Sequence, residues 1–595
     1  MILLRTKRCP FLVTLPLLIA APCAHSLGFA GAQQSGPPAQ TTPAASGQSS
    51  ASPAKTKTAD ASSLSASIPA AIPVSALAQA ADLYRKGDFA GAIAKYQQWV
   101  QERPKSPDGY AGLVRAYLKQ KDVEQAEQAA EKGLAQSDSP RIRAARAEVW
   151  FREGKITEAE KEWVEIINSG YPEARAYLGL ARVRNAIAMY KSASAMIVKA
   201  HELDSRDPDI QEEWVQTLSR GERINYLRNA LAGENNWSAD EREAVNTYLE
   251  FLTTQTKQKR SPCRLVSKVT TTETPLLRLL VDPQHLRGYG LPVSLNGHKS
   301  SLMLDTGASG ILVKRSIAEH AGISKITATK VWGIGSKGAR NAFIGIADSI
   351  KIGELEFQNC PVEVMESRSV ADEDGLIGAD VFENFLVELD FPNEKLKLSQ
   401  LPKRPGEMEQ KLALKSEDDD PDDSDAAEPG TESNSDAGNG EKTASASGPQ
   451  DRYIAPEMQS YTRLYRFGHY LLVPTSIGKV PPKLFLIDSG SLTNFISPAA
   501  AREVTKVSGN YDTIVEGVSG RVDKLFNANK ATLQFGHLRQ ENQDMTAFDT
   551  TSLSDSAGTE ISGFLGFTTL RFLDIKIDYR DVLVDFSYDR KRWGQ

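Results

Sequence analysis

The sequence of 595 residues has few cysteines, few histidines and no concentration of basic residues. Its four cysteines are Cys9, Cys23, Cys263 and Cys360, and two of them lie near the N-terminus, so the rest of the chain is not a disulfide-stapled scaffold. The seven histidines are scattered, and no Cys/His spacing indicates a metal site. Lysine and arginine are dispersed in a chain of net charge −6, which argues against a nucleic-acid-binding protein.

Long apolar runs are also missing after the first residues, so no later segment is expected to span a membrane. The N-terminus has basic residues within 5–8, a short apolar run over 11–21 and then small residues. This order predicts that residues 1–26 are a secretory signal peptide and that the protein is exported, to the periplasm or the medium. An uncleaved anchor stays open as an alternative, whereas Pro22 disfavours a lipid anchor on Cys23.

Two stretches have too little apolar character to fold by themselves. Residues 27–74 are rich in Ala, Ser, Pro, Gln and Thr, which predicts a disordered tether. Residues 402–458 include eleven acidic and no basic residues between Ser416 and Glu441, which predicts a flexible acidic linker. A partner-binding acidic tail is the alternative for this second stretch.

A helical repeat lies between the tether and the strand-rich half of the chain. Ala92, Ala126, Ala159 and Ala193 follow one another at spacings of 34, 33 and 34 residues, with apolar side chains at helical spacing around them. This pattern resembles the tetratricopeptide repeat. The resemblance implies stacked helix-turn-helix units over 75–255. They would offer a groove to a protein or peptide partner, or would serve only as a scaffold.

The C-terminal half contains two stretches with the same order of β motifs. In each, an apolar strand runs into Asp, a hydroxyl residue and Gly, then comes a Gly-rich hairpin, and then an apolar-apolar-Gly element. A strong hairpin signal, Asn296-Gly297, precedes the first of these Asp residues. The three motifs occupy 302–309, 332–338 and 375–382 in the first stretch, and 484–491, 515–521 and 563–567 in the second.

These motifs resemble the retropepsin-like branch of the aspartic peptidases. The fold class implied is a multidomain protein, with an all-α helical-repeat solenoid followed by two mostly-β aspartic-peptidase lobes over 274–401 and 459–595. The resemblance also implies one active site between the lobes, a protein or peptide substrate, and no cofactor or metal. Neither hairpin has the flap tyrosine of pepsin-like enzymes, which fits the retropepsin-like branch better.

The resemblance assigns roles to particular residues. Asp305 and Asp488 would form the catalytic pair, because two carboxylates about 3 Å apart share one proton and can act together as base and acid. The loops that support them are formed by Thr306, Gly307, Ala308, Ser489, Gly490 and Ser491. The candidate flap residues are Gly333, Ile334, Gly335, Gly517, Val518 and Ser519.

The two halves differ after the glycine, where the first has Ala308 and the second has Ser491. A hydroxyl there can donate to a carboxylate and favour its charged form. We therefore expect Asp488 to be the readier base and Asp305 to carry the shared proton more often.

Several alternatives stay open at this point. The chain could be a non-catalytic binding or assembly protein with relic peptidase lobes, although both Asp residues being present argues against that. The lobes could pair within one chain or between two chains. Cys263 and Cys360 could form a disulfide or remain free thiols.

Overall fold

The computed structural model describes residues 75–233, parts of a helix between 242 and 253, 263–335, 338–366, 373–405, 414, 451–511, 513–517 and 519–593, together with three short strands near the N-terminus. These strands are β1 (Leu3–Thr6), β2 (Cys9–Val13) and β3 (Leu17–Leu18). The predicted tether over 27–74 and most of the predicted acidic linker lie outside the described residues. Among the helices of the described ranges, none combines the length and the apolar composition that a bilayer crossing requires.

The helical region, over residues 75–233, is a solenoid of five helix pairs. Ser and Asp side chains cap most of the helices, and the repeated Ala92, Ala126, Ala159 and Ala193 are fully buried where the helices of a pair approach each other. The helices are α1 (Ala76–Arg85), α2 (Phe89–Glu102), α3 (Pro107–Lys119), α4 (Val123–Gln136), α5 (Pro140–Arg152), α6 (Ile156–Asn168), α7 (Ala174–Ala186), α8 (Tyr190–Leu203), α9 (Pro208–Gln216) and α10 (Arg220–Ala232).

The first β lobe contains one large sheet and contributes further strands to a second. Its elements are β4 (Arg264–Leu265), β5 (Thr272–Pro275), β6 (Leu277–Asp282), β7 (His285–Leu295), β8 (His298–Asp305), β9 (Ile311–Lys314), α11 (Arg315–His320), β10 (Lys325–Gly333), β11 (Arg340–Ile352), β12 (Leu355–Met365), β13 (Gly375–Gly378), β14 (Phe385–Asp390) and β15 (Lys395–Gln400). The predicted turn at Asn296-Gly297 joins β7 to β8, and both residues have positive φ.

The second lobe repeats this order. Its elements are β16 (Thr462–Arg463), β17 (Tyr465–Phe467), β18 (Tyr470–Ile477), β19 (Lys483–Asp488), β20 (Phe495–Ile496), α12 (Pro498–Arg502), β21 (Val507–Gly509), β22 (Thr513–Gly517), β23 (Gly520–Arg521), β24 (Leu525–Phe535), β25 (Leu538–Phe548), α13 (Thr551–Ala557), β26 (Gly563–Gly566), α14 (Phe567–Leu570), β27 (Leu573–Asp578), β28 (Leu583–Tyr588) and α15 (Arg590–Trp593). The predicted fold class, a helical solenoid followed by mostly-β lobes, is confirmed.

The two lobes are joined by a shared six-stranded sheet, in the order β16-β28-β27-β14-β15-β5. Strand β14 of the first lobe pairs antiparallel with β27 of the second, so backbone hydrogen bonds cross the lobe junction. An aromatic cluster lies beside this sheet, where Phe567 of the second lobe packs edge-on against Tyr289 and Phe391 of the first. In this structure the lobes therefore pair within one chain.

Both ends of the predicted acidic linker are ordered and meet at one residue, Asp581, which is fully buried. Arg404 Nη2 donates to Asp581 Oδ1 at 2.7 Å, and the amide of Tyr453 donates to the same oxygen at 2.9 Å. The prediction of a disordered segment over all of 402–458 is thus wrong for 402–405 and 451–458. A buried carboxylate with two arginines nearby holds these ends in place.

The solenoid packs against both lobes. Phe151, Ile156 and Trp163 share one apolar cluster with strands of the second lobe. Asp555 in α13 forms ion pairs with Lys121 at 2.5 Å and with Arg152 at 3.1 Å. The helical residues after α9 instead pack on Ile344, a residue of β11 in the first lobe.

Ion pairs link the first helices of the solenoid pairs to one another. Arg175 of α7 is 2% exposed and lies 2.7 Å from Asp209 and 3.3 Å from Glu148. Tyr84 of α1 donates to Asp209 of α9 at 3.2 Å, so the network reaches from the first helix pair to the fifth.

A disulfide connects Cys263 and Cys360, with the two Cα atoms 4.5 Å apart. It ties the segment that follows the solenoid to β12 of the first lobe, next to the pairing of β4 with that strand.

Candidate active site

Each candidate aspartate lies at the end of a buried strand. Asp305 is the last residue of β8, which runs parallel to β13 so that Asp305 is opposite Gly378. Asp488 ends β19, which runs parallel to β26 so that Asp488 is opposite Gly566. The apolar-apolar-Gly elements are therefore the strands that support the two aspartate loops from behind, in the same register in both lobes.

The structure brings the two aspartate loops together at the lobe junction. A Cβ atom added to Gly307 would lie 2.8 Å from Cγ of Asp488, and one added to Gly490 would lie 2.6 Å from Cγ of Asp305. Each glycine thus lets the backbone of one lobe pass directly against the carboxylate of the other, which no residue with a side chain would allow. Both aspartates are fully buried.

Two hydroxyl residues fasten the loops across the junction. Thr306 Oγ1 donates to the carbonyl of Ile487 at 2.8 Å and accepts from the amide of Ser489 at 2.9 Å. Ser489 Oγ reciprocates by donating to the carbonyl of Leu304 at 3.2 Å and accepting from the amide of Thr306 at 3.0 Å. These four buried bonds fix the position of one aspartate relative to the other.

Backbone amides hold one oxygen of each carboxylate. The amide of Gly307 donates to Asp305 Oδ1 at 2.9 Å, and the amide of Ser491 donates to Asp488 Oδ1 at 3.0 Å. The other oxygen of each group, Oδ2, is buried and receives no hydrogen bond from the described residues. Each carboxylate therefore has one oxygen that is oriented by the protein and one that is available for a proton or a substrate group.

Burial raises the pKa of both carboxyl groups. Desolvation is the largest cause for Asp305, and for Asp488 it is followed by repulsion from the Asp305 carboxylate. Amides of the supporting loops oppose this rise, because their hydrogen bonds favour the charged forms. Since two buried carboxylates this close resist double ionisation, the pair retains one proton to a higher pH than an ordinary carboxyl group does.

The expected effect of Ser491 on the pair is wrong in its physical basis. Its hydroxyl donates to the carbonyl of Thr493 at 2.8 Å, within its own loop, and it is the amide that reaches Asp488. The first lobe supplies an equivalent amide bond to Asp305 from Gly307. Ser491 therefore gives no reason to make Asp488 the readier base. Ala308, at the corresponding position, is fully buried.

The sequence reasoning missed the polar side chains behind the two loops. In the first lobe, Asp380 is 1% exposed and accepts from Ser309 Oγ at 2.7 Å and from the amide of Gly310 at 3.0 Å. In the second, Asn494 Oδ1 accepts from the amide of Gly566 at 2.8 Å and from Thr569 Oγ1 at 2.9 Å. The signal for Asp380 was an acid within the apolar run 375–382.

The candidate flap residues come from both lobes and meet. Gly333 ends β10, and Ile334 and Gly335 follow it at the tip of the first hairpin. Gly517 ends β22, and Ser519 lies in the turn before β23, where it touches the first hairpin. Val518 lies outside the described residues.

Over the part of the chain that the structure describes, no three His, Cys, Asp or Glu side chains are grouped so that they could hold a metal ion.

Comparisons with known proteins agree with these two architectures. Residues 291–381 match the profile of an aspartyl protease family, and residues 83–149 match a tetratricopeptide repeat profile. The chain thus carries an aspartyl protease domain and tetratricopeptide repeats, which confirms both resemblances.

Two curated relatives match a stretch of 108 residues. The UBA domain-containing protein Mud1 of Schizosaccharomyces pombe is 29% identical over 18% of this chain and 31% of its own length. The DNA damage-inducible protein 1 of Chaetomium globosum is 32% identical over 18% of this chain and 23% of its own length. The chain therefore spans less than a third of either relative.

Among solved structures, a tetratricopeptide repeat protein of Thermus thermophilus is similar to 30% of this chain over 97% of its own chain. Its TM-score is 0.24 and its sequence identity is 16%.

Proposed function

We propose that this protein is an exported aspartic endopeptidase, in which Asp305 and Asp488 form one catalytic pair within one chain. The observation that carries the proposal is the mutual approach of the two loops, in which each carboxylate lies against the glycine of the opposite lobe. Two buried carboxylates that share a proton are suited to hydrolysis of a peptide bond by an activated water.

The proposed mechanism uses the two unbonded carboxylate oxygens. The ionised member of the pair takes a proton from a water molecule, and the water oxygen adds to the scissile carbonyl carbon. The protonated member gives its proton to the carbonyl oxygen, so the tetrahedral intermediate carries two hydroxyls and the pair holds the one proton taken from water. On collapse the pair gives that proton to the leaving amine nitrogen as the C–N bond breaks, and one hydroxyl of the intermediate returns its proton to the pair as the new carbonyl forms.

In this proposal the flaps exclude water from the site, and the supporting loops keep the two carboxylates oriented. The two hairpins, which touch each other through Ser519, would close over the pair and exclude bulk water once a substrate is bound. The amides of Gly307 and Ser491 keep Oδ1 of each aspartate in place while the outer oxygens react. In this proposal Thr306 and Ser489 are positioning residues, because they hold the loops together without touching the reacting atoms.

Export is proposed on two grounds. The first is the composition of residues 1–26, which is that of a secretory signal. The second is the Cys263–Cys360 disulfide, since such bonds persist in oxidising compartments. The solenoid, which packs on both lobes, would bring a protein substrate or partner to the cleft.

The proposal is tested by cleavage of an unfolded protein with the purified wild type and with Asp305→Asn and Asp488→Asn. Each substitution is expected to reduce kcat by at least about a thousandfold, because the pair needs one base and one acid. Asp348→Asn, at an exposed position of β11, is the matched control and should retain full activity. Wild-type protein that leaves the substrate intact at every pH between about 3 and 8 would refute the peptidase assignment and favour a binding protein.

A mixing experiment tests the pairing within one chain. Equal amounts of the Asp305→Asn and Asp488→Asn proteins are combined and assayed together. If each site is built within one chain, the mixture stays inactive, because every chain lacks one carboxylate. Recovery of activity would show that lobes from two chains form the site.

A further inference from the structure

One residue of the second hairpin makes three hydrogen bonds to the first hairpin. Ser519 Oγ donates to the carbonyl of Gly338 at 2.8 Å and accepts from the amide of Gly333 at 3.2 Å. The amide of Ser519 donates to the carbonyl of Ile334 at 3.2 Å. Three bonds, which we call the clasp, therefore cross from one lobe to the other.

Ser519 and Ile334 are buried although they lie at hairpin tips, whereas Gly338, which supplies one carbonyl of the clasp, is exposed. Ser519 is 1% exposed and Ile334 is 7% exposed, and Ile334 shares an apolar cluster with Val515 of β22. A hydroxyl that is buried in this way costs free energy unless it is hydrogen-bonded, so the clasp depends on both partners of Ser519 Oγ. The nearby Trp332, by contrast, is 44% exposed.

The clasp is chemically one-sided. The first hairpin contributes only backbone groups, namely those of Gly333, Ile334 and Gly338, whereas the second contributes a side chain. Substitution on the first hairpin would leave those backbone groups in place. The hydroxyl of Ser519 is therefore the one group in this clasp that can be removed without altering the backbone.

We propose that Ser519 is the positioning residue that holds the first flap closed over the aspartate pair. Its role in turnover rests on the proposed peptidase function, whereas its role in holding the flap does not. When the clasp is formed, the cleft is covered and a bound peptide is shielded from water. When it is broken, the two hairpins separate and the cleft is open to substrate.

The structural part of the proposal is tested by hydrogen exchange measured by mass spectrometry, which needs no activity. Ser519→Ala should speed exchange in peptides covering 325–340 by roughly tenfold, because two hydrogen bonds of the closed state are lost. Peptides from the shared sheet, 385–400 and 573–588, should exchange at the wild-type rate. Ser508→Ala, an exposed serine in β21 of the same lobe, should change neither region.

Two results would overturn the clasp. One is unchanged exchange over 325–340 in Ser519→Ala. The other is faster exchange over 325–340 in Ser508→Ala as well, which would show that the hairpin responds to any change in this lobe. If Ser519→Ala loosens the shared sheet too, Ser519→Cys replaces it, because sulfur fills a similar space and bonds more weakly. Faster exchange confined to 325–340 then supports the clasp, and wild-type exchange refutes it.

Steady-state kinetics test the role in turnover. Ser519→Ala should raise KM by roughly tenfold and change kcat by less than about twofold, since the closed complex is weakened while the carboxylate pair is intact. A fall in kcat at unchanged KM would refute a role in closure and indicate a role in the chemistry. If even the wild type cleaves nothing, the peptidase proposal fails, and the exchange experiment still decides whether Ser519 holds the flap.

Discussion

The two β lobes have the same backbone plan but different polar side chains behind their aspartate loops. In the first lobe, a carboxylate, Asp380, accepts from Ser309 and Gly310. In the second, an amide, Asn494, accepts on its oxygen and donates through Nδ2 to Gln540 at 3.0 Å and Asn542 at 2.9 Å. The lobes are alike where they must meet, and they differ one layer behind, where each loop is supported by its own lobe.

The outer surfaces differ as well. Strands of the second lobe share an apolar cluster with the solenoid. The solenoid also forms ion pairs with Asp555 of α13. The corresponding cluster of the first lobe, around Met303 and Leu376, is formed by residues of that lobe alone. The solenoid reaches the first lobe at a different place, on Ile344 of a flap strand. The two lobes are thus similar to each other, but the solenoid contacts them at different places.

Exchanging the two supporting side chains tests the difference most severely. Asn494→Asp would place a buried carboxylate against the side-chain oxygens of Gln540 and Asn542. We expect a loss of about 3–5 kcal/mol in the free energy of unfolding, because the charge would be buried among acceptors. Urea unfolding followed by circular dichroism measures it.

The reverse exchange, Asp380→Asn, provides the comparison. It keeps one oxygen that can accept from the amide of Gly310, and the nitrogen that replaces the other oxygen can donate to Ser309 Oγ, so its cost should be smaller, about 1–2 kcal/mol. It also removes a negative charge that raises the pKa of Asp305, which should therefore fall. The rise of activity on the acid side should then begin at lower pH. Equal costs for the two exchanges would contradict the asymmetry.

The symmetric part of the site predicts matched effects. Thr306→Val and Ser489→Ala each leave one buried amide and one buried carbonyl without a partner at the lobe junction. We expect each to lower the free energy of unfolding by about 2–4 kcal/mol. The urea midpoint of each variant is compared with that of the wild type. If one variant lowers the midpoint by less than half as much as the other does, the junction is not symmetric. Thr568→Val in α14, outside these bonds, serves as control.

The ion pairs of Asp555 are expected to stabilise the contact between the solenoid and the second lobe, and not its contact with the first lobe. Asp555→Asn removes the charge that Lys121 and Arg152 share, and Arg152 is mostly buried. The expected cost is about 1 kcal/mol, since the ion pairs are partly exposed. Limited proteolysis should then cut in or beside α13, whose contact with the solenoid is weakened, sooner than in the wild type. An unchanged cleavage rate would mean that the apolar cluster alone holds this contact.

The smallest expected effect concerns the charge balance across the shared sheet. Asp574 of β27 lies opposite Asp390 of β14, and burial, followed by repulsion from Glu388, raises its pKa to about 6. Because the folded-state pKa lies above the ordinary value of 3.8, the stability from a protonated Asp574 is complete below about pH 4 and is lost as the pH rises through about 6.

Asp574→Asn removes this dependence, because the amide is neutral at every pH. Its urea midpoint should exceed that of the wild type slightly at about pH 7.5, above the folded-state pKa, and match it at about pH 4. Asp549→Asn, at an exposed position after β25, should show no such difference. A variant that gains as much in acid as near neutral pH would contradict the assigned charge repulsion.

Much of the fold could be predicted because its signals are local or repeated. The spacing of Ala92, Ala126 and Ala159 indicated the solenoid, and the strand that leads into Asp305 has a counterpart that leads into Asp488. Repetition of three motifs in order also suggested one site between two lobes. The catalytic roles of these residues stay predictions.

The rest depended on contacts between residues far apart in the chain. The direction of the Ser491 hydroxyl is set by a carbonyl in its own loop, which no motif reports. The bond from Tyr84 to Asp209 joins residues 125 positions apart. The motif predicted that Ser519 is a flap residue. Its hydrogen-bond partners could not be predicted, because they lie in the other hairpin and depend on how the two lobes pack.

The closure at Asp581 has a consequence for the connectivity of the chain. Because Arg404 and Tyr453 bind the same carboxylate oxygen, the two described ends of the linker lie side by side. Opening the polypeptide there would yield two fragments, one with each aspartate. The fragments would stay associated through the antiparallel pairing of β14 with β27. We therefore expect the folded protein to keep its two aspartates together after the chain has been cut within this linker.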